Sequence, residues 1–213
     1  MRKWCYCFVD IGLSVLIAVL LTHFIAAQMQ EAQATGQQLR ENHARQQMHQ
    51  LEALIEGHQG IIQRSQIHFP VHGEAYAILR NEQRDFTKTV LFGDSEDLLA
   101  ISIGQYESSG IPGMGKPILL AGHNGTHFKQ LRYFEVGDQI QMDTEYGSFV
   151  YEVTHTEIMN AADFDPTVLA EDNERLILYC CYPFDSLQTQ ERYFVYAQKV
   201  SGIQIEEDGV WKE

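Results

Sequence analysis

The sequence predicts an all-β domain that follows an apolar helix and a polar helical segment. Between residues 69 and 200, short apolar runs of strand length alternate with turn residues such as Gly, Asp and Pro. Many short strands separated by turns are typical of a β-barrel or a β-sandwich. A chain of 213 residues has room for one such domain and an N-terminal appendage.

Residues 1–27 predict a membrane anchor. Arg2 and Lys3 precede an apolar stretch, residues 8–27, that is about as long as a bilayer-spanning helix. The positive-inside rule places these two cations in the cytoplasm and the chain after residue 27 outside. A cleaved signal peptide is the alternative, but the apolar stretch is long for one. The prediction is therefore a single-pass protein of the cell membrane with an extracellular domain.

Residues 28–68 predict an extracellular helical stalk. They are rich in Gln, Glu, Ala, His and Arg and contain no proline. Six apolar residues recur at roughly helical spacing: Met48, Leu51, Leu54, Ile55, Ile61 and Ile62. This stripe could be a coiled-coil seam or could dock on the domain, and it is too short and irregular to choose between the two. Gly57 and Gly60 are candidate ends of the helix. We favour a spacer, and dimerisation through the stalk is left open.

Seven strands and two helices are predicted between residues 69 and 200. The strands cover residues 75–79, 88–92, 117–121, 139–143, 148–158, 175–181 and 192–200. One helix, residues 95–102, follows Asp94 as its N-cap. The other helix, residues 126–134, begins with Thr126. The last segment, residues 201–213, predicts an acidic tail that is partly disordered.

Reactive side chains follow or open three of these strands. One apolar run ends in Cys180 and Cys181, and Arg192 opens the next run along the chain. A thiol is a candidate nucleophile there, because a fixed cation beside it lowers the thiol pKa or holds a developing oxyanion. His123 lies in a glycine-framed turn after an earlier apolar run. A histidine can supply general acid and base catalysis.

These motifs resemble those of the sortases, cysteine transpeptidases of the Gram-positive cell surface. The sequence GHNGT at residues 122–126 is similar to the sortase His motif. The sequence ILYCC at residues 177–181 lines up with the sortase Thr-Leu-x-Thr-Cys motif, although Ile177 and Cys180 replace its threonines. Arg192 falls on the sortase arginine. The resemblance covers about residues 69–200.

The resemblance implies a fold, a reaction and three catalytic residues. The fold is a closed eight-stranded β-barrel with short helices. Cys181 would attack an LPxTG-like sorting signal and form a thioacyl-enzyme, His123 would transfer protons, and Arg192 would stabilise the oxyanion. The acyl group would pass to an amine of a peptidoglycan precursor or a pilin. The implied partners are surface proteins with a C-terminal sorting signal, and the nearest branch is class D or B.

Other functions stay open on the sequence alone. A cysteine hydrolase or an L,D-transpeptidase-like cell-wall enzyme would use the same three side chains, but the sequence around Cys181 does not resemble that family. A non-catalytic extracellular binding module is disfavoured by the presence of Cys181, His123 and Arg192 together. The formal net charge of −14 argues against a nucleic-acid-binding protein.

No cofactor or metal is predicted. Carboxylates cluster within residues 159–174, at Asp163, Asp165, Glu171, Asp172 and Glu174, and oxygen ligands of this kind can bind calcium. Their spacing matches no EF-hand loop, so we favour a solvated loop and leave calcium dependence open.

Two nearby side chains, those of His127 and Cys180, have other interpretations. His127, four residues after His123, is a rival base, and the two could share a helix face and bind zinc, although no third ligand is evident. Cys180 is predicted to be a small buried residue that points away from Cys181, because successive side chains of a strand face opposite sides.

Overall fold

The computed structural model of the chain describes residues 19–31, 35–36, 38–39, 42, 46, 60–184, 186 and 189–208. Residues 1–43 and 44–213 form two compact units. In the first unit, residues 19–31 form helix α1, whose side chains are exposed. Within the described ranges, no helix is both long and apolar enough to cross a membrane. Residues 1–18 of the predicted anchor, and much of the predicted stalk, lie outside the described residues.

The described residues of the second unit form ten strands: β1 (Ile61–Gln63), β2 (Ala75–Asn81), β3 (Phe86–Phe92), β4 (Ile103–Gln105), β5 (Ile118–Ala121), β6 (Gln139–Thr144), β7 (Gly147–Asn160), β8 (Arg175–Tyr182), β9 (Glu191–Ser201) and β10 (Gln204–Glu206). Strands β2 to β9 close into a barrel in the order β2-β3-β4-β5-β8-β9-β7-β6. The pairs β3–β4 and β5–β8 are parallel. The predicted eight-stranded barrel is confirmed, and β4 is a strand that the sequence analysis missed.

The two predicted helices are shorter in the structure. Helix α2 covers Glu96–Leu99 and has Ser95, not Asp94, at its N-cap. The predicted helix at 126–134 is a turn followed by a 3₁₀ helix, Lys129–Tyr133. Phe128 and Leu131 are both fully buried, and their spacing of three residues matches one 3₁₀ turn. The pair therefore anchors this short segment on the barrel core.

The two faces of strand β8 pack into different apolar clusters. Leu176, Leu178 and Cys180 belong to the large cluster that fills the barrel. Ile177 and Tyr179 belong to a smaller cluster, together with residues of β5 and β9. Side chains alternate across a strand, so one side of β8 faces the barrel interior and the other faces outward. We call these sides the inner face and the outer face.

Parts of the predicted stalk and tail form a small parallel sheet. Strand β1 pairs with β10, with Ile62 opposite Ile205, although β1 was predicted as helical stalk and β10 as tail. The φ of 124° at Gly60 lies outside the helical region, which agrees with Gly60 as a candidate helix end, and the helical stalk prediction is wrong for the strand that follows it. Strand β10 is held on the domain because Ile205 N donates to Gly113 O (2.8 Å) and the Ile205 side chain packs against the large apolar cluster.

Glu174 differs from the other acidic residues of the predicted solvated loop. Its side chain is 5% exposed and lies at the end of the barrel where β8 begins. It accepts hydrogen bonds from the backbone of Gly113 (3.1 Å) and Gly115 (3.0 Å), from Tyr151 Oη (2.8 Å) and from Lys199 Nζ (3.0 Å). A buried carboxylate needs such partners, so the prediction of a solvated side chain is wrong for this residue.

Candidate active site

Strands β5, β8 and β9 bring three predicted residues to the same end of the barrel. Cys181 lies opposite Arg192 in the antiparallel β8–β9 pair. Strand β5 runs parallel to β8, and their pairing ends with Ala121 opposite Tyr179. His123 follows this pair by two residues, as Cys181 does on β8. The sheet register therefore places Cys181, His123 and Arg192 at the same position along the strand direction, side by side at one end of the barrel.

A tight turn holds His123. Its carbonyl oxygen accepts hydrogen bonds from Thr126 N (3.3 Å) and Phe128 N (3.0 Å). The preceding residue must be glycine, because a Cβ on Gly122 would lie 2.7 Å from the ring of Phe128. Phe128 is fully buried and cannot move aside without disturbing the core. The turn thus fixes the backbone position of His123 just after the end of β5.

The three side chains line a single outer-face pocket of about 320 Å³. The pocket is lined by Leu99, Leu119, Ala121, Gly122, His123, Ala161, Phe164, Tyr179, Cys181, Arg192 and Phe194. Its aromatic rings pack on one another, with the Phe194 centroid 5.4 Å from both Phe164 and Tyr179. Burial raises the pKa of Tyr179, so its phenol stays protonated at neutral pH. The pocket is therefore apolar, with polar groups at the end where Cys181 lies.

Arg192 is held by the loop that precedes it. Its Nη1 donates to Thr189 O (2.6 Å) and to Glu191 O (3.0 Å). Its Nε and Nη2 have no hydrogen-bond partner in the part of the chain that the structure describes. A guanidinium fixed through one nitrogen keeps its other N–H groups for a ligand. Arg192 can therefore donate to an oxygen atom beside Cys181.

A comparison with known protein families identifies the domain that carries this pocket. The sortase domain profile matches residues 67–200, more than half of the chain. The chain belongs to the sortase family. The resemblance drawn from the His and Cys motifs is thereby confirmed, and so is the enzyme class, that of the cysteine transpeptidases.

A curated relative supports one branch of the family. Sortase D of Bacillus subtilis (strain 168) is 32% identical to this sortase over 133 residues, which cover 62% of this chain and 67% of the relative. This agrees with the class D alternative of the sequence prediction.

Solved structures show the same fold at lower identity. The Sortase D5 transpeptidase of Clostridium perfringens has a TM-score of 0.56 and 23% identity, covering 62% of this chain and 83% of its own. Sortase C of the same organism, determined with its C-terminal cell wall sorting motif, has a TM-score of 0.56 and 19% identity, covering 62% and 73%. The barrel fold alone does not distinguish class D from class C.

The two adjacent cysteines of this sortase have different surroundings. Cys181 is partly exposed in the pocket, whereas Cys180 is 2% exposed and packs in the barrel core. Burial, and to a smaller extent the neighbouring Cys181, raises the pKa of Cys180 to about 12. A thiolate is the reactive form of cysteine, so Cys180 is unreactive at neutral pH. Its predicted role as a small buried residue agrees with this position.

The rival base His127 lies apart from the pocket lining. Its Nε2 is 3.4 Å from Ala100 O, and residues 124–128 form a turn. The predicted shared helix face of His123 and His127 is therefore wrong. Among the residues that the structure describes, no three His, Cys, Asp or Glu side chains cluster closely enough to hold a metal ion.

The sequence analysis did not assign several residues of the site. Phe164, Tyr179 and Phe194 form most of the aromatic wall, and Leu99 reaches the pocket from the end of α2. Tyr179 and Phe194 occupy alternate positions of their strands relative to Cys181 and Arg192, so strand alternation could have identified them. Asn124 follows His123 in the GHNGT motif. The sequence does not show that its side chain contacts the loop after Cys181, at Pro183 and Ser186.

Proposed function

We propose that this sortase is anchored in the cell membrane and joins proteins with an LPxTG-like sorting signal to an amine of the cell wall or of a pilin. The observation that carries the proposal is the single pocket that Cys181, His123 and Arg192 line. The catalytic part is assigned to residues 69–200. The apolar and aromatic lining suits an extended peptide with leucine and proline side chains.

The first half of the proposed reaction cleaves the sorting signal. The sulfur of Cys181 attacks the carbonyl carbon of the threonine, and Arg192 donates hydrogen bonds to the oxyanion that forms. The C–N bond to the following glycine then breaks. His123 gives its proton to the departing amine, which leaves a thioester between the threonine and Cys181.

The second half transfers the acyl group. An incoming amine attacks the thioester carbon, His123 takes the proton of that amine, and the C–S bond breaks. This restores the Cys181 thiolate and the protonated imidazole with which the cycle began. The partly open pocket leaves room for the second substrate, since His123 and Cys181 are both partly exposed. We propose a cell-wall precursor as the amine donor, with a pilin lysine as the alternative.

Peptide ligation tests the reaction directly. The full-length chain, purified in detergent, is incubated with LPxTG-like peptides with and without an added amine, and products are identified by mass spectrometry. We expect amine-dependent ligation that is lost in Cys181→Ala and retained in Cys180→Ala. Hydrolysis without ligation would favour a cysteine hydrolase. Loss of ligation in Cys180→Ala alone would assign the nucleophile to the other thiol.

The proposed anchor has its own test. The full chain and a variant lacking residues 1–27 are expressed in a Gram-positive host and fractionated. We expect the full chain in the membrane fraction and the shortened chain outside it, because residues 8–27 form the long apolar stretch of the sequence. Equal distribution of the two chains would remove the anchor from the proposal.

A further inference from the structure

Asn124 links the turn that carries His123 to the loop that follows Cys181. The Asn124 side chain is 6% exposed. Its Nδ2 donates to Pro183 O (3.0 Å) and to Ser186 O (3.2 Å). An amide nitrogen has two hydrogen atoms, so both are used in these two bonds. The orientation of the amide is fixed chemically, because the flipped form would turn Oδ1 toward two carbonyl oxygens.

These two bonds extend the strand pairing beyond its end. The last backbone bond between the two segments joins Gly122 N to Tyr179 O (3.2 Å). After that point, the Asn124 bonds are the hydrogen bonds that connect the two segments within the described residues. The sheet register brings the two side chains to the same end of the barrel, and the Asn124 amide holds together the turn and the loop that continue from these strands.

The far end of the same loop is held separately. Arg192 Nη1 binds Thr189 O, and Ala161 N donates to Gln190 O (2.8 Å). Ala161 also lines the pocket. The loop after Cys181 is thus fixed at its start by Asn124 and at its end by two residues of the pocket. The start of the loop also packs through Phe184 against Tyr193 and Arg132, so loss of the Asn124 bonds would loosen the part next to the thiol without releasing the whole loop.

We propose that Asn124 is a positioning residue, which locks the loop after Cys181 to the turn that carries His123. The inference rests on the proposed function for its kinetic test, and it makes a second, substrate-free prediction about the thiol. Displacement of a reacting group by about 1 Å can lower a rate about 100-fold. A buried side chain that touches no substrate can therefore control the chemical step.

The test compares Asn124→Asp with a matched variant elsewhere. Asn124→Asp keeps the side-chain shape but removes both donors and turns a carboxylate toward two carbonyl oxygens. The control is Gln130→Glu, because Gln130 Nε2 also approaches two carbonyl oxygens, those of Arg84 (3.4 Å) and Asp85 (3.2 Å). Gln130 is not among the residues that line the pocket, so its substitution reports the structural effect alone.

Two measurements on the full-length chain decide the proposal. In peptide ligation, we expect Asn124→Asp to lower kcat by about 10- to 100-fold with KM changed less than about threefold, the pattern of a lost positioning contact. In alkylation by iodoacetamide at neutral pH, followed by mass spectrometry, we expect Cys181 to react about tenfold more slowly. Gln130→Glu should leave both quantities unchanged.

The outcomes separate this proposal from the proposed function. If the wild type ligates peptides and Asn124→Asp matches it in kcat and alkylation rate, Asn124 has no positioning role. If the wild type ligates nothing, the proposed function fails, and the alkylation rates still decide the role of Asn124. Asn124→Ala removes both donors without adding charge, and it replaces the Asp variant if that variant does not fold. An unchanged alkylation rate in Asn124→Ala would overturn the inference equally.

Discussion

Cys180 and Cys181 are chemically identical neighbours that the fold makes into two different groups. Cys180 lies on the inner face of β8, in the barrel core, where burial raises its pKa to about 12. Cys181 lies on the outer face, in a pocket with His123 and Arg192. Side chains alternate along a strand. A shift of one position along β8 therefore changes a cysteine from a core packing residue into a candidate nucleophile.

The same division holds on the neighbouring strand. Tyr193 lies opposite Cys180 and packs at the inner face, with its ring centroid 5.2 Å from that of Phe184. Arg192 lies opposite Cys181 and lines the pocket. The inner face is therefore expected to determine stability, and the outer face to determine activity. Substitutions on the two faces test this division of roles.

The largest effect is expected for Arg192→Ala on the outer face. Removal of a fixed donor to an oxyanion lowers kcat by about 100- to 1000-fold. We expect this loss in peptide ligation with a melting temperature close to that of the wild type. Arg192→Lys should recover little activity, because an ammonium group lacks the planar donors of a guanidinium.

Tyr193→Phe is the matched control for Arg192→Ala. The two residues are adjacent on β9 but face opposite sides, and removal of the Tyr193 hydroxyl leaves its ring packing in place. We expect wild-type ligation rates in Tyr193→Phe. A loss of activity comparable to that of Arg192→Ala would mean that the inner face also takes part in the chemistry.

The next effect concerns stability at the other end of the barrel. Glu174→Gln removes the charge that pairs with Lys199, while Glu174 Oε1 also accepts from Tyr151 inside the barrel. Loss of one partner of a buried ion pair is strongly destabilising. We expect the free energy of unfolding to fall by about 2–3 kcal/mol, with unchanged kcat for the folded enzyme.

Asp172→Asn is the control for Glu174→Gln. Asp172 pairs with Lys116, but its side chain is 92% exposed, and exposed ion pairs contribute little to stability. Denaturant unfolding of Asp172→Asn should therefore match the wild type. If both variants lose the same stability, burial is not what distinguishes Glu174 from its neighbours in the acidic loop.

The sequence predicts the outer face well, for a physical reason. Strand alternation predicts that only one of the two cysteines lines the pocket, and the resemblance to the sortase cysteine motif assigns that position to Cys181. The closed barrel came from the family resemblance, since short alternating strands alone allow a sandwich as well. Strand β4 was missed because it has three residues, Ile103–Gln105, too few to show a period.

Contacts between distant segments were not predictable. Glu174 looks like its acidic neighbours in sequence, and only the fold brings Gly113, Tyr151 and Lys199 to it. Strand β10 lies in an acidic tail and forms because β1 pairs with it across more than 140 residues. Both depend on tertiary contacts, which local composition does not encode.

A smaller stability effect is expected for Cys180→Ala on the inner face. Truncation of a well-packed buried side chain leaves a small cavity, so we expect a loss of about 1–2 kcal/mol in unfolding free energy. Ligation activity should match the wild type. Denaturant unfolding and the ligation assay measure the two quantities on the same preparation, and a loss of activity at full stability would contradict the division between the faces.

Cys180 also predicts a pH dependence of stability. The folded chain holds the thiol proton more tightly, because the pKa rises from 9.0 to about 12. The contribution of the thiol to the free energy of unfolding is full below pH 9.0 and is lost as the pH rises to about 12. Between these two values the free energy of unfolding falls by up to about 1.4 kcal/mol per pH unit. Buried tyrosines add their own alkaline slope. The difference between the wild type and Cys180→Ala isolates the thiol, and parallel curves would show that the thiol is not buried.

The smallest expected effect is that of metal removal. The outer-face chemistry proposed here uses a thiol, an imidazole and a guanidinium, which need no metal ion to move protons or hold an oxyanion. We expect ligation rates to be equal with EGTA and with added calcium. A calcium effect would most simply arise from the acidic stretch beside the pocket. Phe164 lines the pocket, and its neighbours in the chain are Asp163 and Asp165. If calcium raises the rate, Asp165→Asn should remove the response. The outer face would then depend on a cation as well as on its three side chains.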